Sequence, residues 1–182
     1  MYRFVLPLFF LSLTLTVSCQ QQDDFKSQAE EIFPPVEMTH VALYRKSGLP
    51  VIPVFFQGQW SMVIFGNTSC ENECIKRLDL INGVESVKKL LVFNGQAKHT
   101  RMQELVDSYP NVAITMGTSA ASFDNFYKQF DVDTVEPIKK HQQIYLVNPT
   151  AELAYSLPQK GLTSEQLGKE MAFLIKLGGT GE

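Results

Sequence analysis

Basic runs, histidines and cysteines are all scarce in this chain. No run of lysine or arginine exceeds a pair such as Lys88-Lys89 or Lys139-Lys140, and the formal net charge is -3 with both signs interspersed. Nucleic acid binding needs a basic face to neutralise phosphates, so that class is excluded. There is no paired-carboxylate set, no Ser/His/Asp combination and no phosphate-cradling glycine loop, which removes the common hydrolase and nucleotide-binding signatures. Internal repeats and low-complexity tracts are missing too. Only three residues of 182 are cysteine and three are histidine. Soft metal ligands and nucleophiles are therefore few enough to weigh one by one.

A composition of 45% hydrophobic, 11% aromatic and 19% charged residues is that of an ordinary globular domain. The opening MYRFVLPLFFLSLTLTVSC places one Arg before an uncharged stretch from Phe4 to Ser18, a signal-peptide pattern too short to span a bilayer well. Thr16-Val17-Ser18-Cys19 resembles the lipobox of bacterial lipoproteins, in which the Cys receives lipid. The expected plan is a signal peptide over 1–18, a polar tether over 19–38 and one domain over 39–182. On that plan the protein is exported and sits on the periplasmic side of a bacterial membrane, lipid-anchored through Cys19; an ordinary cleaved signal or an uncleaved anchor is the alternative. An oxidising compartment disfavours stray thiols. With Cys19 lipidated, Cys70 and Cys74 remain as a pair, available for a disulfide or a shared metal.

From Thr39 the segments THVALYR and VIPVFF read as two strands joined by a Gly-containing turn, and WSMVIFG (Trp60 to Gly66) as a central buried strand. Asn67-Thr68-Ser69 supplies capping residues for a helix from Cys70 to Ile81, which Asn82-Gly83 stops. LLVFNG and NVAITMG read as strands, and His99 to Tyr109 and Ser119 to Phe130 as helices. IYLVN and ELAYSL then pair around Asn148-Pro149, and Thr163-Ser164-Glu165-Gln166 begins a last helix with a capping box. Alternating strands and helices imply a mixed sheet covered on both faces. Met62, Met102 and Met116 lie in apolar periodic segments, so core packing is expected of them. Trp60 is a core or rim residue, and His40 and His99 are ordinary polar positions.

Cys70 and Cys74 are four residues apart. On a helix both sulfurs would leave one face about 6 Å apart in rise, which suits a reducible disulfide or two thiolates on one ion. A position in the first turn would also favour the Cys70 thiolate through the helix dipole. Spacing alone does not choose between these. NTSCENECIKRL following WSMVIFG resembles the Sco/SenC family of thioredoxin-like proteins, which carry CxxxC where thioredoxin has CxxC. ITMGTSAASFDNFYKQFDV and KKHQQIYLVNPTAEL resemble that family's later strand, helix and metal-binding His segment, so the likeness runs from about Thr39 to Leu177.

The resemblance implies a thioredoxin-like α/β fold, with a central mixed sheet flanked by helices and an N-terminal β-hairpin. It also implies one copper ion held by Cys70, Cys74 and His141. The function implied is that of a copper chaperone delivering its ion to a cuproprotein, by the family pattern the copper site of cytochrome c oxidase, with a copper donor or periplasmic thiol reductase as a further partner. The alternative is a thiol-disulfide oxidoreductase cycling Cys70 and Cys74 against partner cysteines, in which His141 only tunes pKa. The chain departs from the family over 94–99, where an acidic Asp-Pro segment is expected, and at Asn148-Pro149-Thr150-Ala151. Partner choice can differ with those loops.

Overall fold

In a computed structural model, residues 25–39, 43–45, 50–51, 53–67, 70–94, 99–117, 119–130 and 142–178 are described. The centre of the fold is β4 (Ser61–Asn67), whose residues Met62 to Phe65 are all fully buried. Such a strand must be covered on both faces, and alternate side chains supply two cores. Met62 and Ile64 pack with α1 (Asn72–Asn82), α2 (His99–Ser108) and α4 (Ser164–Gly178). Val63 and Phe65 pack with α3 (Ala120–Lys128) through Phe123 and Phe126, and with Phe130 just beyond it.

β4 runs parallel to β5 (Lys88–Asn94), which runs parallel to β6 (Ala113–Gly117), so α1 and α2 are the crossovers these parallel pairs require. On its other side β4 pairs antiparallel with β7 (Gln143–Val147), which forms a hairpin with β8 (Glu152–Pro158). β1 (Glu30–Glu37) closes one edge on β8, while β2 (Leu43–Arg45) and β3 (Pro50–Val51) close the other beside β6. The order is β1-β8-β7-β4-β5-β6-β2-β3. A mixed sheet with helices on both faces and an N-terminal hairpin, β2–β3, is thus as expected.

Two expectations are corrected. VIPVFF is not one strand: only Pro50–Val51 pair with β2, and Pro53–Phe55 form a 3-10 turn closed by Phe56 N–H donating to Pro53 O (2.9 Å). Pro53 has no N–H for a ladder and a φ suited to starting a helical turn. The segment read as a tether contributes β1, so the sheet begins at Glu30 rather than Thr39. Upstream of β1, both carboxylate oxygens of Glu170 in α4 are used, accepting from Ser27 Oγ (2.7 Å) and Gln28 N–H (2.6 Å). With Phe25 on Phe173 (5.5 Å between centroids), this fixes residues 25–28 to α4.

Elsewhere the local chemistry holds as read. Thr163 and Gln166 form the reciprocal capping box, Gln166 N–H to Thr163 Oγ1 (3.2 Å) and Thr163 N–H to Gln166 Oε1 (2.9 Å). Gly83 caps α1. Tyr109, just after α2, donates to Asp79 of α1 (2.7 Å), and burial followed by that bond pushes its phenol up to about 12. Among the described residues, no helix is long and apolar enough to cross a membrane.

Candidate metal and redox site

The chemistry-bearing pair stands where β4 delivers the chain to α1. Cys70 precedes the helix with its backbone in the left-handed region (φ 42°), Glu71 is the N-cap without a side-chain capping bond, and Cys74 is the third helical residue. The two sulfurs form a disulfide with a Cα–Cα distance of 4.9 Å. The expectation that both cysteines share a helix face is therefore corrected: residues four apart within one helix would be ~6 Å apart along its axis. Cys70 instead folds back over the first turn. One consequence is electrostatic: the two sulfurs are joined at the helix N-terminus, so its unpaired amides and dipole act on both of them. Another concerns capping. The helix starts at Asn72, downstream of Asn67; Thr68 and Ser69 lie outside the described residues.

Both sulfurs are buried, Cys70 at 0% and Cys74 at 3% exposure. A cavity of about 250 Å³, lined by Glu71, Asn72, Glu73, Cys74 and Arg77, opens beside Cys74. Arg77, one turn further on, is buried and donates from Nη1 to Phe65 O (2.7 Å) and from Nε to Glu73 O (3.2 Å). It fastens the helix to the end of β4, and burial lowers its pKa against the opposing effect of Glu73. On the other side Arg101 of α2 donates from Nη2 to Cys70 O (2.7 Å) while its Nη1 pairs with Glu104 (2.9 Å).

Gly66 is the close-approach residue. A Cβ there would lie 3.0 Å from Cys74 Sγ and 3.1 Å from Leu91 Cδ1. Neither can yield easily, because the sulfur is fixed by its disulfide and Leu91 is fully buried. Gly66→Ala is therefore expected to cost ~1–2 kcal/mol of stability despite alanine's better backbone entropy. It should also make the disulfide easier to reduce. Urea unfolding and a dithiol titration of the variant check this, and an unchanged midpoint in both would show that the sulfur has room to move.

Of the residues expected at the site, the structure brings Cys70 and Cys74 together. His141, His40 and Cys19 lie outside the described residues, as does the 95–98 part of the divergent loop. His99 opens α2, and its side chain lies outside the described part. Met62 and Met102 are buried in the core and Met116 packs against it, as expected of packing residues. Trp60 is a core residue at 7% exposure, against Tyr155. Among the described residues, no group of three or more His, Cys, Asp or Glu is placed to hold a metal ion. Sequence reasoning missed Gly66 and Arg101. A glycine closing an apolar strand just before a cysteine pair was a usable signal of close approach, whereas Arg101 meets Cys70 from 31 residues away with no local pattern to announce it.

No family model matches the chain, and no curated protein matches it in sequence. Solved structures do match in shape. Yeast Sco1 with copper bound is 15% identical, covers 84% of this chain and 94% of its own, and superposes with a TM-score of 0.61. BsSco, described as a Sco family cytochrome c oxidase assembly protein with a disulfide switch, is 17% identical over 84% of this chain and all (100%) of its own, at a TM-score of 0.60. MTB dsbF, solved in mixed oxidized and reduced forms, is 17% identical over 75% of this chain and 96% of its own, at 0.52. At such identities shape is what is shared, and the chain has the thioredoxin-like fold of the Sco proteins, with a cysteine pair at the junction of β4 and α1.

Proposed function

We propose that this chain is a divergent Sco/SenC protein that binds one copper ion through Cys70, Cys74 and His141 and passes it to a cuproprotein such as the copper site of cytochrome c oxidase. The observation that carries the reading is the CxxxC pair, closed on itself at the β4–α1 junction of a Sco-like fold. The donor chemistry fits. Two thiols that meet in one bond can, once reduced, hold one soft ion between them, and thiolate favours Cu(I) while an added imidazole suits Cu(II). A third ligand has to come from outside the described residues. His141 stands two residues before β7, and antiparallel pairing with β4 brings the start of β7 to the end of the sheet where β4 delivers the cysteines.

Loading requires the disulfide to open. A partner dithiol reduces it: the Cys70–Cys74 bond breaks, both sulfurs are released as thiols or thiolates, and the partner leaves as a disulfide. Export and a lipid anchor at Cys19, read from the first residues, would put this exchange in an oxidising compartment. The second reading, a thiol-disulfide oxidoreductase, rests on the disulfide itself and on the likeness to dsbF. In that case the same opening is the whole function and copper is absent from it.

Copper titration of the reduced protein separates the two. One ion per chain is expected, and His141→Ala should weaken Cu(II) by about tenfold or more while two thiolates retain Cu(I). No bound copper, with both thiols titrating free, would overturn the copper reading in favour of the oxidoreductase. Wild-type Cu(II) spectra in His141→Ala would remove that residue from the ligand set.

A further inference from the structure

We infer that Arg101 is a positioning residue for Cys70, clamping the turn that carries the first sulfur and standing as the positive charge beside the thiolate formed when the disulfide opens. Cys70 needs the clamp because it lies outside α1. Its backbone is left-handed, a conformation that costs a non-glycine residue unless its surroundings hold it. The guanidinium of Arg101 meets Cys70, its Nη2 donating to the Cys70 carbonyl at 2.7 Å.

Glu104, three residues on in α2, pairs with Nη1 at 2.9 Å and leaves Nη2 to Cys70. α2 is the crossover after β5, so the contact also ties the cysteine turn to a second helix. The charge is permanent, since arginine does not lose its proton in proteins. Arg77, the other arginine near the pair, is committed to Phe65 O and Glu73 O on the Cys74 side. Glu71 and Glu73 also stand on that side, about the cavity beside Cys74.

When an external dithiol opens the disulfide, its thiolate attacks one sulfur and the bonding pair leaves on the other. Its second thiol then resolves the mixed disulfide, so the protein gains two electrons and the dithiol loses two. A cation beside Cys70 favours the reduced side of that balance by stabilising thiolate. An opposite charge within ~4–6 Å, partly screened by water, is worth about three- to tenfold in such an equilibrium.

The test is the thiol-disulfide equilibrium of the full chain against dithiothreitol, at fixed pH, for wild type, Arg101→Gln, Arg101→Lys and Glu104→Gln. Arg101→Gln should move the balance about three- to tenfold toward the disulfide, and Arg101→Lys should recover part of that shift through its charge. Glu104→Gln should leave the balance unchanged or move it toward the dithiol, because it removes the opposing charge. A merely structural role would move the glutamine variants of both positions the same way. Wild type alone gives an independent check, since added salt should shift it toward the disulfide. Equality of Arg101→Gln with wild type, parallel shifts in Arg101→Gln and Glu104→Gln, or no salt effect would each overturn the inference. The inference rests on the reading above in needing the disulfide to open in use. A wild-type disulfide that resists excess dithiol would defeat that reading, whereas a reducible pair indifferent to Arg101 would defeat only the role given to Arg101.

Discussion

Phe65→Ala should cost ~3–5 kcal/mol of folding stability, the largest loss expected of a single core substitution here. Phe65 is fully buried near the end of β4 and sits in a cluster of rings. Tyr127 and Phe130 meet it edge-on at 4.9 and 5.0 Å between centroids, and Phe123 and Tyr145 do so at 6.1 and 5.9 Å. Truncation removes a phenyl ring from the middle of these contacts and leaves a cavity that a central strand paired on both sides cannot collapse. Against a total stability of about 5–15 kcal/mol, that loss should lower the thermal midpoint by roughly 10 °C. Denaturant unfolding of Phe65→Ala and Phe65→Leu measures it, the leucine variant losing much less. A loss under about 1 kcal/mol for alanine would mean that the ring cluster is not a packed core. The effect also bears on the site, because the Phe65 carbonyl accepts from Arg77 and so fastens α1 to β4.

The centre of the sheet was legible because its physics is local. Apolar runs such as Met62 to Phe65 and Leu90 to Phe93 are of strand length and bounded by turn residues, which marks them as buried strands, and the helices between them declare themselves by period and cap. β1 was not legible, since EEIFPPVE is acidic and carries two prolines, and only Ile32 and Val36 turn inward while Phe33 is 87% exposed. Its strand character comes from pairing with β8, more than a hundred residues away. At the site, the cysteine pair and its closeness could be read from spacing, but not the left-handed turn at Cys70 or its clamp by Arg101. A non-glycine residue with positive φ is held there by neighbours distant in sequence. The helix-dipole argument applies to both sulfurs rather than to Cys70 alone, since Cys70 stands just before the helix, Cys74 lies in its first turn, and the two are bonded.

Replacing either cysteine by serine should reduce copper affinity by at least about 100-fold, beyond the 10–100-fold that loss of an outer-shell partner brings. A hydroxyl is a hard, neutral donor at neutral pH, and one remaining thiolate is a poor substitute for two on Cu(I). Removing the disulfide frees only a short loop between positions four apart, worth ~2 kcal/mol in the chain-entropy account. Cys70→Ser and Cys74→Ser should therefore stay folded more securely than Phe65→Ala, so that lost copper cannot be charged to unfolding. The two variants should differ in the thiol they leave behind. Cys70→Ser leaves Cys74 at the helix N-terminus beside the cavity of about 250 Å³, where alkylating reagents can reach it. Cys74→Ser leaves Cys70, fully buried under the Arg101 clamp. Copper titration together with iodoacetamide kinetics on each variant reads both effects. Copper retained at wild-type affinity in either variant would show that the ion is held elsewhere.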